Sequence, residues 1–266
     1  MMRRRDLLLW PAAAVLQAGA ADEERIWKDY LAWYRKQPLS TDLRAAWRRH
    51  LEAAGVDRAE IERRARLVER LSRQRRDEIQ PLFFDRTYAA AQPRFNTAPN
   101  ELLVETVRHL APGRALDIHM GQGRNALFLA ARGWNVTGFD YSEEGVRAAR
   151  KAAAKAGLKL NALAARHEDF DFGRQQWDLV LMLYTWVPLG SAYPARIVDS
   201  LRTGGVLVFE HLMEETGSER AAPWLPRPGE LPRIFSRLRV MRYEDTRRAA
   251  DWSWRPERVA RLVARK

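Results

Sequence analysis

The segment ALDIHMGQGRNALFLAARGWNVTGFD, residues 115–140, holds the residue types best suited to chemistry. Gly121 and Gly123 follow a short apolar stretch, and glycines let the backbone approach a ligand closely. The helix expected after them offers unpaired N–H groups to negative charge. Asp140, at the end of the next apolar stretch, is placed to accept hydrogen bonds from ribose hydroxyls. This spacing predicts a site for a nucleoside-containing cofactor.

Two cofactor classes fit that spacing. Gly121, Gly123 and Ala126 match the dinucleotide pattern G-x-G-x-x-G/A, with Asp140 near the expected twenty residues further on, which allows a nicotinamide or flavin. Asp117, however, interrupts the apolar stretch, and a buried carboxylate needs a partner. It could organise the site around a cationic sulfonium and its amino-acid part, or it could be satisfied by backbone N–H groups of the turn.

His119 occupies a position where such a turn usually carries glycine. The replacement is tolerable if residue 119 keeps strand-like dihedral angles. Three roles stay open: a structural substitute for glycine, a weakened cofactor site, or an active part toward the acceptor or the cofactor carboxylate. No catalytic residue is fixed by the sequence. His119, Tyr184 and His211 are candidates, and His167 is a further histidine to consider as a base.

The elements that must position these residues alternate after Asn100. Apolar strands are separated by helical segments, which predicts parallel pairing with helices on both faces. The last two strands follow each other without a helix. We predict an α/β fold: a Rossmann-like, doubly wound, mostly parallel seven-stranded sheet with an antiparallel C-terminal strand pair. Ligands of such sheets bind beyond the carboxyl ends of the strands. The predicted strands are RALDI, WNVTGFD, LKLNALAA, WDLVLMLYT, GGVLVFEHL, RLRVMRYEDTRR and ERVARLVARK.

Before this alternation, residues 22–76 show apolar residues at spacings of three and four, as in amphipathic helices. Two or three helices are predicted, with caps at Ser40 or Thr41 and at Asp57. The stretch IQPLFFDRTYAAAQPRFNTAPN follows as a proline-bearing connector. The predicted organisation is a signal-like leader over 1–21, a helical extension over 22–95 and the α/β domain over 96–266.

The leader combines a basic start, an apolar segment and small residues, which is the layout of a secretory signal. RRRDLLL also resembles a twin-arginine signal, read on proteins exported already folded. These features favour an exported or periplasmic protein. An amphipathic or disordered leader without an export role is the alternative. No other run is long enough to be a transmembrane helix.

Composition sets limits on chemistry. The chain of 266 residues has a formal net charge of +12 and no cysteine. The positive charge favours an anionic partner such as a phosphate, a nucleic acid or a membrane surface. The absence of cysteine excludes disulfides, thiolate nucleophiles and cysteine-ligated zinc. We predict no metal.

The stretch LDIHMGQGRNALFLAARGWNVTGFDYS resembles motif I through the second strand of class I S-adenosylmethionine (SAM)-dependent methyltransferases, and is similar to bacterial tellurite-resistance-type methyltransferases. The resemblance covers roughly residues 96–265 and implies SAM as cofactor. It implies that Asp117 and the loop surround the methionine part, and that Asp140 holds the ribose. Tyr141 would face the adenine ring, although Tyr141 and Phe170 could equally be core aromatics. The implied cofactor-binding set is Asp117, His119, Met120, Gly121, Gly123, Asp140, Tyr141, Asp169 and Phe170.

The acceptor is less constrained. LMLYTWVPLGSAYP should line its side of the crevice, with Tyr184, Thr185 and Trp186 as the expected contacts. No Asn/Asp-Pro-Pro-aromatic stretch follows the fourth strand, which disfavours amino-group methylation of nucleic acids. We predict methyl transfer to a small-molecule or inorganic acceptor by in-line displacement. The alternatives are a non-catalytic or degenerate SAM-binding module and an oxidoreductase using NAD(P) or flavin. SAM dependence favours a cytoplasmic protein, in conflict with the leader.

Overall fold

The computed structural model describes residues 9–39, 41–90, 95–214, 222–251 and 256–266. The chain divides into two compact units, residues 1–90 and 91–266. The ends of the leader and of the helical extension, expected from the sequence at residues 21 and 95, stay predictions.

The first unit is helical and has its own core. Apolar residues at spacings of three and four place one face of each helix inside, as the sequence pattern predicted. Trp27 is fully buried, and Tyr30 packs edge-on against Trp47 with ring centroids 5.2 Å apart. The helices are α1 (Leu9–Tyr34), α2 (Leu43–Ala53), α3 (Arg58–Gln74) and α4 (Arg76–Ala89).

Three expectations for this unit need correction or stay open. The connector expected after residue 78 is helical up to Ala89, so Pro81 lies inside α4 and removes a helix hydrogen bond without ending the helix. The α2 cap is Asp42, which accepts from two backbone N–H groups, and Ser40 lies outside the described residues. Asp57 caps α3 as predicted. Residues 1–8 of the expected leader also lie outside the description, and the signal itself stays a prediction.

Helix α1 continues across residue 21, where the signal-like leader was expected to end. Among the described residues, no helix combines the length and apolar character that a membrane crossing requires.

The second unit contains one seven-stranded sheet in the order β3-β2-β1-β4-β5-β7-β6. The first five strands in that order pair in parallel, while β7 is antiparallel to both β5 and β6. The predicted fold class is confirmed. The strands are β1 (Arg114–Ile118), β2 (Asn135–Asp140), β3 (Asn161–Ala164), β4 (Trp177–Leu183), β5 (Leu201–Leu212), β6 (Arg239–Ala249) and β7 (Pro256–Arg265).

Helices cover both faces of this sheet, so the central strands are apolar on both sides. Side chains alternate along β1: Leu116 and Ile118 join one core, and Ala115 joins the other. Strand order reverses between β1 and β4, which opens a crevice at their carboxyl ends. The helices are α5 (Glu101–Val107), α6 (Arg124–Ala130), α7 (Glu143–Lys155), α8 (Tyr193–Ser200) and α9 (Leu231–Ile234).

Candidate active site

The glycine loop joins β1 to α6 at the reversal of strand order. Gly121 and Gly123 have φ angles of 55° and 82°, a region that side chains other than glycine rarely adopt. A Cβ atom on Gly123 would lie 2.9 Å from the Cβ of Ala149 in α7. Glycine at 123 is therefore required by its backbone conformation and by the close approach of α7. Of the two glycines, Gly121 is the one whose expected role is to let a ligand approach the backbone.

Asp117 is a buried carboxylate with an open hydrogen-bonding position. The residue is 2% exposed, and Oδ2 has no hydrogen-bond partner in the described part of the chain. Burial raises the pKa of Asp117 to about 7; the charge of Asp140 adds to the rise, while Arg124 and the backbone N–H of Ala126 oppose it. Because a buried polar atom normally has a partner, an unpaired carboxylate oxygen beside this loop indicates a binding group.

Asp140 ends β2 and holds the loop from the other side. One carboxylate oxygen accepts from the N–H of Gly121 at 2.8 Å, and the other accepts from the N–H of Ser142 at 2.8 Å. A carboxylate can accept about four hydrogen bonds, so ribose hydroxyls can share it with the backbone. Asp140 thus fixes the loop at Gly121.

His119 does not keep strand-like dihedral angles, so the condition for an easy replacement of glycine is not met. Its φ is 53°, in the left-handed region. The chain turns there to leave β1, and a glycine would follow this turn without steric cost. For a residue with a Cβ, the conformation costs on the order of 1 kcal/mol. The interactions of the imidazole must offset that cost.

The imidazole joins the loop to the segment after β4. The backbone N–H of Trp186 donates to Nδ1 of His119 at 3.1 Å. Because Nδ1 accepts, the neutral ring carries its proton on Nε2. Burial lowers the pKa of His119 to about 3, with a smaller effect from His167, so the ring is neutral near pH 7. Nε2 is buried and has no partner among the described residues.

Aromatic rings surround His119. The ring of Tyr141 lies 5.1 Å away and that of His167 lies 5.3 Å away, measured between centroids. Burial lowers the pKa of His167. Phe170 stacks on Phe139 inside the main core, with ring centroids 4.2 Å apart, and is 8% exposed. This position agrees with the alternative that Phe170 is a core aromatic residue.

Two further expected cofactor residues have different surroundings. Asp169 is exposed in the turn after β3. The side chain of Met120 packs in a small core with Val146, Ala149 and Ala162, so its backbone is the part available to a ligand in the loop.

Tyr184 is held by hydrogen bonds. It also has a positive φ, 59°, and its hydroxyl donates to Oε1 of Glu210 at 3.0 Å. The same hydroxyl accepts from the backbone N–H of Asp251. Burial, followed by the charge of Glu210, raises the pKa of Tyr184 above its usual range. A phenol held in this way and kept protonated does not serve as a base.

A buried polar network around Glu210 was missed by the sequence reasoning. Asn100 donates from Nδ2 to Glu210 and to Asp251, each at 2.8 Å. Arg261 donates from Nε to Glu210 at 2.9 Å, and Arg124 pairs with Asp251. Glu210 and Arg261 face each other in the β5–β7 register. A signal for them existed: each is a charged residue inside an apolar strand, where a partner is required.

The other expected acceptor contacts lie beside this network. Thr185 is 2% exposed, and the Trp186 ring lies 4.5 Å from that of Trp224. His211 is buried against the ring of Tyr184, and burial lowers its pKa to about 4. Within the described residues, no group of three or more His, Asp or Glu side chains is arranged to hold a metal ion.

Comparisons with known proteins agree with this architecture. Residues 115–205 match the family model described as a methyltransferase domain. Hemagglutinin 1 of Eikenella corrodens is 38% identical over 82 residues, which are 29% of this chain and 27% of that protein. A 23S rRNA (uracil(747)-C(5))-methyltransferase of Pyrococcus abyssi is 35% identical over 92 residues, 34% of this chain and 20% of the relative.

TehB of Haemophilus influenzae, named as a probable SAM-dependent methyltransferase, is 29% identical over 82 residues, 29% of each chain. The crystal structure of TehB superposes with a TM-score of 0.56 at 17% identity, over 69% of this chain and 66% of TehB. That similarity shows the shared fold. The chain spans about a quarter of the length of the curated relatives it matches.

The α/β domain that carries the glycine loop thus contains a methyltransferase-domain match over residues 115–205, and the chain is similar in sequence to a probable SAM-dependent methyltransferase.

Proposed function

We propose that this protein binds SAM at the carboxyl ends of β1 and β2 and transfers a methyl group to a small-molecule acceptor. The observation that carries the proposal is the unpaired, buried Oδ2 of Asp117 beside a loop that Asp140 holds through the N–H of Gly121. Bound SAM supplies a methyl group made electrophilic by the sulfonium. The small-molecule acceptor belongs to the proposal as well, as does the activity of the whole protein.

The residues present fit this cofactor. The amino-acid part of SAM carries an ammonium group, and an ammonium beside Asp117 would favour the ionised carboxylate that burial disfavours. Asp140 accepts ribose hydroxyls, with Tyr141 toward the adenine. Phe170 contributes from the core behind Phe139 rather than by direct stacking.

On the acceptor side, the chain's task is to orient the acceptor and exclude water. Trp186 and Thr185 lie on the segment that borders this side. Tyr184 acts through its buried hydrogen bonds, by fixing the start of that segment, rather than as a proton acceptor. Among the histidines near the loop, His167 is paired with a carboxylate, because its Nε2 lies 3.4 Å from Oε1 of Glu168. It is therefore the histidine to test as a base if the acceptor needs deprotonation.

A degenerate SAM-binding module is the second candidate, and the observation that favours it is His119. A left-handed histidine in place of glycine puts an imidazole among Tyr141 and His167, on the nucleoside side of the loop. Such a module would bind the adenosyl ligands without turnover.

The experiment is calorimetry of the full chain with SAM, S-adenosylhomocysteine and NADH. Micromolar binding of both adenosyl ligands is expected, and binding of NADH alone would contradict the proposal. A screen of small-molecule acceptors for methyl transfer then separates the enzyme from the binding module. Transfer to RNA but to no small molecule would reject the acceptor class.

A further inference from the structure

We propose that His119 is a positioning residue that connects the cofactor to the acceptor side, with Nδ1 fixed on Trp186 and Nε2–H donating to the nucleoside part of bound SAM. The inference rests on the proposed function. It assigns a specific task to the residue that departs from the glycine of this loop.

The first support is the tautomer. A histidine that replaced glycine for structural reasons alone would need one hydrogen bond at most, and Nδ1 has it in the N–H of Trp186. That bond places the ring proton on Nε2 and leaves a neutral donor. Because the bond from Trp186 holds the imidazole ring, it also fixes the direction in which the Nε2–H group points.

The second support is the unpaired donor itself. Nε2 of His119 and Oδ2 of Asp117 are both buried and have no partner among the described residues, so they do not bond to each other. An unmet buried donor costs about 1–3 kcal/mol, in addition to the cost of the left-handed backbone. A ligand oxygen or ring nitrogen that accepts from Nε2 removes the first of these costs and offsets part of the second.

The third support identifies the part of the ligand. The ring of His119 contacts Tyr141, which follows the ribose-side residue Asp140, and His167, which follows β3. These are the strand ends on the nucleoside side of the crevice. A neutral N–H donor suits a ribose oxygen or an adenine nitrogen, both uncharged acceptors.

The imidazole of His119 would contact both sides of the site: Nδ1 accepts from the N–H of Trp186, and Nε2–H would donate to the cofactor. Trp186 begins the stretch that borders the acceptor side, and its ring contacts Trp224. Binding that orders the His119 ring also fixes the N–H of Trp186.

Two variants separate the two nitrogens. His119→Asn keeps a residue that tolerates the left-handed region and an acceptor near the Nδ1 position, but it has no group at Nε2. His119→Gly removes both bonds and relieves the backbone. We expect S-adenosylhomocysteine to bind about tenfold more weakly to both variants. The amide of Trp186 should keep its protection from hydrogen exchange in His119→Asn and lose it in His119→Gly.

A spectroscopic test measures the protonation of the His119 ring directly in the wild-type protein. In full-length protein labelled with ¹⁵N-histidine, the His119 ring should show a protonated Nε2 and an unprotonated Nδ1 near pH 7. Its resonance is assigned by its absence in His119→Asn. Saturating S-adenosylhomocysteine, and millimolar adenosine alone, should shift the Nε2 signal, whereas methionine should not.

Wild-type binding with equal or tighter binding by both variants would overturn this inference and leave the proposed function intact. A shift caused by methionine but not by adenosine would overturn the nucleoside assignment. Failure of folded wild-type protein to bind either adenosyl ligand would overturn the proposed function, and the inference with it.

Discussion

Two polar clusters lie close together at the carboxyl ends of the sheet, and they differ in how completely their hydrogen bonds are made. Around Glu210, both carboxylate oxygens accept from side chains of this domain. Nη2 of Arg261 makes no hydrogen bond within the described residues, but it lies 3.7 Å from Oε2 of Glu101. Around the glycine loop, Asp117 Oδ2 and His119 Nε2 are buried and have no partner in the part of the chain that the structure describes. A carboxylate whose hydrogen bonds are made stabilises a fold, whereas a buried polar group without a partner can bind a ligand. We therefore interpret the first, satisfied cluster as structural and propose the second as the ligand site.

The largest expected effect is on stability in the satisfied cluster. Glu210→Ala removes the buried partner of Arg261, which is 2% exposed and keeps the partly exposed Glu244 at 3.0 Å, and it also removes the acceptor of Asn100. The loss should be about 3–5 kcal/mol in the free energy of unfolding. Urea denaturation measures this loss. The matched control is Arg258→Ala, which removes a partly exposed ion pair with Asp245 between β6 and β7 and should cost less than about 1 kcal/mol. Equal losses in the two variants would remove the distinction between buried and surface pairs.

In the ligand site, Asp140→Asn should act mainly on affinity. The variant keeps an oxygen for one backbone N–H and loses the charge that strengthens hydrogen bonds from ribose hydroxyls. We expect S-adenosylhomocysteine to bind more weakly by about 1–3 kcal/mol in calorimetry. Unchanged affinity in a folded variant would mean that the ribose lies elsewhere.

Asp117→Asn should have opposite effects on stability and on binding. The folded-state pKa of Asp117 is raised from 3.8 to about 7, so its contribution to stability is complete below about pH 4 and is lost as the pH rises through 7. Asparagine does not ionise. The unbound variant should therefore melt at a higher temperature than wild type at pH 8, with the difference vanishing near pH 4, while its affinity for S-adenosylhomocysteine falls.

Thermal unfolding between pH 4 and pH 8 measures the stability difference, with Arg258→Ala as the control for general pH effects. A variant less stable than wild type at pH 8 would show that Asp117 is satisfied in the unbound fold.

The smallest effect is expected for Tyr184→Phe. Loss of a hydroxyl that donates to Glu210 and accepts from Asp251 should reduce stability by about 1 kcal/mol. The affinity for S-adenosylhomocysteine should stay within about twofold of wild type, because Tyr184 belongs to the satisfied cluster. A large loss of cofactor affinity with unchanged stability would move Tyr184 into the ligand site.

The order of strands and helices was predictable from sequence because apolar runs and helical spacing are local. Asp117 and Asp140 could be singled out as candidates, since a carboxylate inside or at the end of an apolar strand is conspicuous, and their role in binding stays a prediction. The left-handed φ of His119 was not, because it depends on the path of the chain leaving β1. The helical course through Pro81 was missed since the proline was taken as a break, whereas it lies inside α4.

The Glu210 network could not be assembled from sequence for a different reason. Glu210 and Arg261 are separated by 51 positions, and Asn100 and Glu210 by 110. Their pairing depends on the register of β7 against β5 and on the place where α5 begins. A lone charge in an apolar strand predicts that a partner exists, but it does not identify the partner.

A crystal structure of the full chain with S-adenosylhomocysteine tests the central claim most directly. The amino group of the ligand should lie about 3 Å from Oδ2 of Asp117, with the ribose hydroxyls on Asp140, so that the unmet groups of the loop gain partners. A ligand bound elsewhere, or one bound at the loop with Asp117 Oδ2 still unpaired, would contradict the assignment of these groups to cofactor binding.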